Sequence, residues 1–176
     1  MKKTFALLAL IGILLAQPTY AAGELPGTLI GDGLLHSWTG ASPHYTLVDE
    51  TPCNGLGDYI YTYKVGNMDS FIVQSSATNT IHITKITITP CASKAVPLGD
   101  SYIQVGYKLQ NGWLWIMSNP ISLYGTTPTN IAPTSFNVDM IKSNDSNPIH
   151  VVVKYVSGIA GARVSGMKVD LEWHYE

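Results

Sequence analysis

The sequence of 176 residues predicts an all-β protein built as a single antiparallel β-sandwich. Three observations predict this class. The last ten residues alternate strictly between apolar and polar side chains, short strand-like runs bounded by Gly, Pro and Asn recur along the chain, and no convincing helical pattern follows the N-terminal segment. We expect seven to nine short strands in an immunoglobulin-like arrangement, pinned by one disulfide.

The C-terminal strand, residues 167–176, is the strongest of these signals. Its apolar side chains fall at every second position, as in a strand with one face on a core and the other in water. A helical period of about 3.6 residues would spread the same side chains around the whole cylinder. Such a strand has to pair with a sheet that the rest of the chain supplies. The inward-facing residues are Met167, Val169, Leu171, Trp173 and Tyr175.

The N-terminus has the features of a Sec-type signal peptide. A basic start precedes an apolar run over residues 5–16, which is too short to span a bilayer comfortably, and small residues predict cleavage after Ala21. An uncleaved anchor is the alternative. We therefore expect residues 1–21 to be removed and residues 22–176 to form one exported domain, which is periplasmic, on the cell surface or extracellular.

The composition excludes several classes of partner. Twelve acidic and ten basic residues give a formal net charge of -2, and only 12% of the residues are charged. Such a chain has no basic footprint for nucleic acid or anionic lipid. No apolar run after residue 21 approaches the roughly 18 residues of a membrane-spanning helix. No cofactor or metal is expected.

Cys53 and Cys91 are the only cysteines. In an oxidising compartment an even pair favours one disulfide over two free thiols. Closing a loop of about 38 residues stabilises a fold by roughly 3 to 4 kcal/mol in the chain-entropy model. Neither the Cys-x-x-Cys spacing of a redox site nor the further ligands of a metal site accompany these residues.

Between the termini, alternation and turn residues predict the remaining strands. Within residues 80–89 the apolar phase slips, because Ile81 and Ile83 are odd-numbered whereas Ile86 and Ile88 are even-numbered. A β-bulge near residues 84–85 would keep all four facing inward. After at most two short strands over residues 33–38 and 44–48, the predicted strands are 58–65, 70–74, 80–89, 102–110, 113–117, 135–141 and 149–156. Residues 121–124 interrupt a long predicted connection over residues 119–133.

The dipeptide Asn111-Gly112 predicts a two-residue hairpin turn between two of these strands. Its register places Tyr107 opposite Ile116. One face of the hairpin then carries Ile103, Val105, Tyr107, Leu109, Leu114 and Ile116. The other face carries Gln104, Lys108, Gln110, Trp113, Trp115 and Met117.

No catalytic constellation is found, and no catalytic residue is assigned. The histidines stand singly at positions 36, 44, 82, 150 and 174. His36 and His44 precede the acidic residues 49–50, but no nucleophile elbow, His-Glu-x-x-His or paired-acid motif accompanies them. His82 and His150 lie in apolar strands, which favours hydrogen-bonded structural histidines over general bases.

The best candidate for a binding face is the pair Trp113 and Trp115, with Lys108 and Gln110 opposite. Two residues apart on one strand, the indoles point the same way, as in an aromatic platform that stacks on sugar rings or grips a partner. The alternative is that both are packed inside the sandwich. A second aromatic stripe, interpreted as structural, is formed by Tyr59, Tyr61 and Tyr63.

Two stretches resemble subunits of chaperone–usher pili. Residues 83–91, Ile-Thr-Lys-Ile-Thr-Ile-Thr-Pro-Cys, are similar to the strand that carries the second cysteine in those subunits. The C-terminal strand, with the penultimate Tyr175 and with Gly158 and Gly161 before it, is similar to their last strand. The chain departs from the family in the positions of Gly161, Pro26 and Cys53.

The resemblance implies assembly by strand donation. The C-terminal strand would then be docked by a periplasmic chaperone and would line the groove that receives a neighbour's strand. The N-terminal segment would be the donor, with Leu25, Gly27, Leu29, Gly31, Gly33 and Leu35 alternating. We therefore expect a non-catalytic structural or adhesive cell-surface (fimbrial) subunit. The alternatives are a secreted glycan-binding module or toxin-like lectin, and, third, an extracellular hydrolase.

Overall fold

A computed structural model describes residues 22–49, 53, 57–75, 80–108, 114–142 and 148–175. The predicted signal peptide and the predicted Asn111-Gly112 turn lie outside the described residues. The described strands are β1 (Ala22–His36), β2 (Ile60–Thr62), β3 (Met68–Ser75), β4 (Ile81–Lys94), β5 (Ser101–Lys108), β6 (Ile116–Met117), β7 (Ile121–Ser122), β8 (Thr129–Asn130), β9 (Thr134–Lys142), β10 (Ile149–Gly158) and β11 (Ala162–Tyr175). A 3₁₀ helix spans His44–Leu47.

The strands form one antiparallel sheet in the order β6-β5-β10-β3-β1-β11-β4-β8, while β2 also pairs with β11, β7 with β5 and β9 with β4. The sheet curls into a half-barrel, which confirms the predicted all-β, sandwich-like class. More strands are described than the seven to nine expected. Strands β7 and β8 contribute to this excess, and with two residues each they are too short to show an alternating pattern. No described helix is long or apolar enough to cross a bilayer.

Strand β11 lies inside the sheet, and its alternation is confirmed. Met167, Val169 and Leu171 are buried, Trp173 packs against the same core, and Tyr175 is partly exposed at the strand's end. Both long edges of the strand are paired within the chain, because β4 runs along one side and β1 along the other.

Strand β1 begins at Ala22, well before the predicted strand over residues 33–38. Its first half pairs with β11 and its second half with β3, with register shifts that begin near Leu29. The N-terminal segment that resembles a donor strand therefore completes this chain's own sheet beside the C-terminal strand. Exchange of that segment between chains stays a prediction, as does the resemblance to pilus subunits.

The predicted strand over residues 44–48 is wrong, since this stretch begins with the 3₁₀ helix. The Asp32 carboxylate explains the turn. It accepts hydrogen bonds from the backbone N–H groups of His44 (3.0 Å) and Tyr45 (2.7 Å), and so occupies donors that a strand would have used for pairing.

The predicted bulge in β4 is confirmed. The register with β9 shifts between Ile83 and Lys85, and the register with β11 shifts opposite the same residues. All four isoleucines of β4 are buried, as the phase slip requires: Ile81, Ile83, Ile86 and Ile88.

The hairpin register is also confirmed, because Tyr107 lies opposite Ile116. Ile116 and Leu114 are 47% and 81% exposed, although Ile116 lies opposite the buried Tyr107. Strand β6 ends the sheet, and the Phe136 ring that covers the inner face meets Tyr107 on β5, one strand further in, with 5.1 Å between ring centroids.

The disulfide between Cys53 and Cys91 is confirmed, with 5.6 Å between the two Cα atoms. Cys91 is buried on β4, beside β8 and β11, and its Sγ lies 2.9 Å from the Ser165 hydroxyl. The bond therefore ties the segment before β2 to the middle of the sheet.

Candidate functional sites

The predicted tryptophan face is described in part, since Trp113 and Gln110 lie outside the described residues. Trp115 is half-buried, and the Lys108 Nζ lies 5.8 Å from the centroid of the Trp115 indole. The two residues therefore share a face, as the hairpin register predicts. Next to them along the chain, a groove of about 500 Å³ lies between residues 117–121 and residues 133–136. A binding role for this face stays a prediction.

His150 lies beside this face, directly opposite Lys108 in the β10–β5 pair. Burial lowers the pKa of the His150 imidazole below its ordinary value of 6.5, and the positive charge of Lys108 lowers it further. His150 is therefore less basic in the folded protein than in the unfolded chain. Acidification below about pH 6.5 protonates the unfolded chain first, so the free energy of unfolding falls as the pH drops through that value.

Replacing Lys108 by Gln is expected to raise the pKa of His150 part of the way to its ordinary value, because burial, the larger cause, remains. The loss of stability on acidification should become smaller in this variant. NMR titration of the His150 imidazole and urea unfolding from about pH 5 to 8 measure both effects. His150→Gln is the control that removes this contribution, and a His150 pKa that Lys108→Gln leaves unchanged contradicts the assignment.

The stripe of three tyrosines forms a continuous row of rings along β2 and its flanking residues. Ile60 and Thr62 of β2 face the core, so Tyr59, Tyr61 and Tyr63 point outward. Consecutive ring centroids are 6.1 Å apart, and the rings are tilted by 59° and 74° to each other. We call these three residues the tyrosine strip. Tyr59 and Tyr61 are half-buried, whereas Tyr63 is 54% exposed.

Arg163 of β11 completes this surface. It lies opposite Tyr61 in the β11–β2 pair, and its guanidinium carbon is 5.1 Å from the Tyr59 ring centroid. Its Nη1 also donates to the Thr126 carbonyl, at 3.5 Å. The cation is thus held over an aromatic face at one end of the strip.

At its other end the tyrosine strip rests on the turn between β10 and β11. Gly161 has a φ of +64°, and a Cβ there would meet the Tyr63 ring at 2.6 Å, so the ring needs a glycine beneath it. Further exposed apolar side chains lie on this and neighbouring turns: Val65, Leu98, Tyr124 and Ile159. The tyrosine strip therefore has the Arg163 cation at one end and the Gly161 turn, with exposed apolar side chains, at the other.

A second cluster joins the end of β1 to β3. Asp69 is fully buried, and its Oδ1 accepts the backbone N–H groups of Ser37 (2.8 Å) and Trp38 (3.2 Å). Its Oδ2 lies 2.5 Å from His44 Nδ1. Burial raises the pKa of the Asp69 carboxyl, while the hydrogen bond from His44 lowers it.

Two more side chains face this pair. The plane of the exposed His36 imidazole makes an angle of 75° with the plane of the His44 imidazole, and the ring centroids are 6.1 Å apart. The Asp32 Oδ2 is 4.0 Å from His36 Nδ1. Potential metal-ligating atoms of His36, His44 and Asp69 all lie within 4.8 Å of one another. The carboxylates near the two histidines are thus Asp32 and Asp69.

On the opposite half of the sheet, His82 lies between Asp139 and His174. Its Nε2 is 2.5 Å from the Asp139 carboxylate, and its Nδ1 is 3.1 Å from His174 Nε2. His82 and His174 are direct cross-strand neighbours on β4 and β11. This arrangement is the hydrogen-bonded, structural type that the sequence favours for His82.

No family model matches the chain, and a search of the curated proteins finds no match. Among solved structures, a truncated AlyQ with CBM32 and alginate lyase domains is similar to it, with a TM-score of 0.49, 7% identity and coverage of 89% of this chain and 35% of that one. The chain thus spans about a third of that protein.

Two other structures are also similar. The CBM36-1 domain of a multidomain xylanase from the hindgut metagenome of Trinervitermes trinervoides has a TM-score of 0.35 and 8% identity, covering 86% of this chain and 96% of that domain. The Stig cyclase Fisc from Fischerella sp. TAU has a TM-score of 0.38 and 14% identity, covering 92% and 80%. These values are too low to transfer a function.

Proposed function

We propose that the protein is an exported, non-catalytic module that binds carbohydrate chains along the tyrosine strip. The observation that supports this most is the run of three outward tyrosine rings at equal spacings of 6.1 Å, with the Arg163 guanidinium at one end. A spacing of this size is about the length of one sugar ring, so successive rings meet successive sugars of a chain.

The chemistry of the strip suits a glycan. The C–H groups on one face of a pyranose pack against an aromatic face, while tyrosine hydroxyls and a guanidinium donate hydrogen bonds to sugar oxygens. Because the rings are tilted, the surface is corrugated and fits a twisted chain better than a flat one. Arg163 favours acidic sugars, since a guanidinium pairs with a carboxylate through two parallel hydrogen bonds.

The strip is preorganised. Strand β2 is paired with β11 on one side and bridged to Thr39 on the other, through hydrogen bonds of 2.8 and 2.9 Å between the Thr39 and Tyr61 backbones. The tyrosine side chains have few rotatable bonds, and Arg163 is already held. Little conformational freedom is therefore lost when a ligand binds.

Replacing Tyr61 and Tyr63 by alanine is expected to weaken glycan binding about tenfold or more, because each aromatic contact contributes about 0.5 to 1.5 kcal/mol. Affinity electrophoresis in xylan, a neutral polysaccharide, and in alginate, an acidic one, measures the loss. The matched control is Trp113→Ala with Trp115→Ala, on the other aromatic face.

Three outcomes separate the surfaces. Binding that is lost in the tyrosine variant but kept in the tryptophan variant supports the strip, provided that circular dichroism shows the native spectrum. Loss in the tryptophan variant alone moves the site to the hairpin. If neither polysaccharide retards the native protein, this result contradicts the carbohydrate proposal for these two classes of glycan.

A further inference from the structure

The cluster at the end of β1 combines two imidazoles with two carboxylates, and neither the sequence patterns nor the tyrosine strip accounts for it. We propose that His36, His44 and Asp69 form a binding site for a divalent transition-metal ion, with Zn²⁺ as the best match. Asp32 supports the site from behind His36. The proposal is independent of carbohydrate binding, because the cluster lies on β1, β3 and the 3₁₀ helix and shares no residue with the strip.

The distances bring the donors close to a coordination shell. Zn²⁺ holds an imidazole nitrogen at about 2.0 to 2.1 Å and a carboxylate oxygen at about 2.0 to 2.2 Å, so two ligands of one ion lie about 3 to 3.5 Å apart. The donors of His36, His44 and Asp69 lie within 4.8 Å of one another. Rotation of one side chain, with a movement of about 1 Å, closes that gap.

His36 is the side chain that can make this movement. Its side chain is 43% exposed, whereas that of His44 is only 10% exposed and that of Asp69 is fully buried. Asp69 and His44 are therefore the buried half of the site, and His36 closes over it from solvent. The 2.5 Å between His44 Nδ1 and Asp69 Oδ2 widens to about 3 Å when an ion enters between them. The exposure of His36 also gives an ion a way in.

The other partners of the ligands are those that metal sites use. Asp32 faces His36 at 4.0 Å, in the position of a carboxylate that orients a ligating imidazole. Asp32 is itself held by the backbone N–H groups of His44 and Tyr45. The second oxygen of Asp69 is fixed by the N–H groups of Ser37 and Trp38, which leaves the oxygen that faces His44 for an ion.

The donor set selects the class of ion. Two nitrogen ligands and one oxygen ligand suit Zn²⁺, Co²⁺, Ni²⁺ or Cu²⁺. Ca²⁺ and Mg²⁺ prefer shells made of oxygen alone, so we expect neither to bind here. An ion between His44 and Asp69 takes the place of the proton that joins them, and that proton moves to the other nitrogen of the imidazole. Because protons compete with the ion for the imidazole nitrogens, binding weakens as the pH falls.

The experiment uses the purified mature protein, from which a chelator first removes any bound metal. The metal-free protein is then titrated with ZnCl₂ by isothermal titration calorimetry. The expected result is one Zn²⁺ per chain. His36→Ala should weaken binding at least tenfold while leaving the melting temperature of the metal-free protein unchanged, because His36 is exposed. CoCl₂ provides a second readout, since the intensity of the visible Co²⁺ absorption reports the coordination number of the bound ion.

The matched control is His82→Ala with His174→Ala, which removes the other pair of neighbouring histidines. Zn²⁺ binding that this variant retains and His36→Ala loses supports the proposed site. Binding that is lost in the control and kept in His36→Ala overturns it, and so does a wild-type protein that binds no Zn²⁺ at millimolar concentration. CaCl₂ in place of ZnCl₂ should give no heat above dilution.

Discussion

Replacing Asp69 by alanine is expected to lower the free energy of unfolding by about 3 to 5 kcal/mol, because each buried hydrogen-bond donor left without its acceptor costs about 1 to 3 kcal/mol. The carboxylate is fully buried and accepts three hydrogen bonds, from the backbone of Ser37, the backbone of Trp38 and the His44 imidazole. Alanine leaves the buried Trp38 N–H and the His44 Nδ1 without this acceptor, whereas the Ser37 N–H still has the Met68 carbonyl at 3.1 Å. Urea unfolding in the presence of a chelator measures the loss without any contribution from bound metal.

Asp69→Asn is the matched control, because the amide oxygen still accepts the two backbone N–H groups. We expect a loss of about 1 to 2 kcal/mol for this variant, mainly from the weaker contact with His44. The ordering of the two variants tests the hydrogen-bond explanation separately from the effect of removing a charge. Equal losses in the two variants would mean that only the negative charge of Asp69 stabilises the fold. A loss below about 1 kcal/mol in Asp69→Ala would contradict a stabilising role for the Asp69 hydrogen bonds.

The features that the sequence predicts correctly are those written in neighbouring residues. The alternation in β11 reports directly which side chains face the core, since successive side chains of a strand point to opposite faces. The phase slip between Ile83 and Ile86 locates the bulge, and the register predicted from Asn111-Gly112 matches the observed pairing of Tyr107 with Ile116. Each signal lies within a few residues and depends little on the rest of the fold.

The hydrogen bonds of the Asp69 carboxylate have no such signal in the sequence. Asp69 and His44 are separated by 25 residues, and the pairing of His36 with Asp69 in β1 and β3 brings them together. In the sequence, Asp69 reads as a polar residue at the start of an apolar strand, whereas its side chain turns inward. The one available hint is that an acidic residue within a buried strand needs a partner, because an isolated buried charge is costly.

Local sequence patterns also do not predict how exposed the two aromatic surfaces are. Alternation predicts correctly that the three tyrosines share a face, but exposure depends on what covers that face. Strand β2 is only three residues long, and its outer side meets Arg163 and the turn at Gly161, so the rings stay partly open. For Trp115 the same pattern leaves the choice between core and surface open, and the half-buried indole beside Lys108 is intermediate.

Removal of the disulfide is the second large change. Replacing Cys53 and Cys91 by alanine is expected to lower the free energy of unfolding by about 3 to 4 kcal/mol, because the bond closes a loop between residues separated by 38 positions and so restricts the unfolded chain. The unfolded state of the variant is more expanded, so the dependence of stability on urea should also become steeper. Urea titrations of the native protein with and without dithiothreitol provide the same comparison without any mutation.

A single replacement separates the constraint from side-chain packing. Cys53→Ala breaks the bond but leaves the buried Cys91 side chain in place beside the Ser165 hydroxyl. If the restricted unfolded chain is the cause, this variant should lose as much stability as the double variant, and dithiothreitol should then have no further effect on it. If packing around Cys91 is the cause, the single variant should keep most of its stability and Cys91→Ala alone should account for the loss. The geometry favours the first outcome, because β4 is held on both sides by β11 and β9, and its pairing does not depend on the sulfur atom.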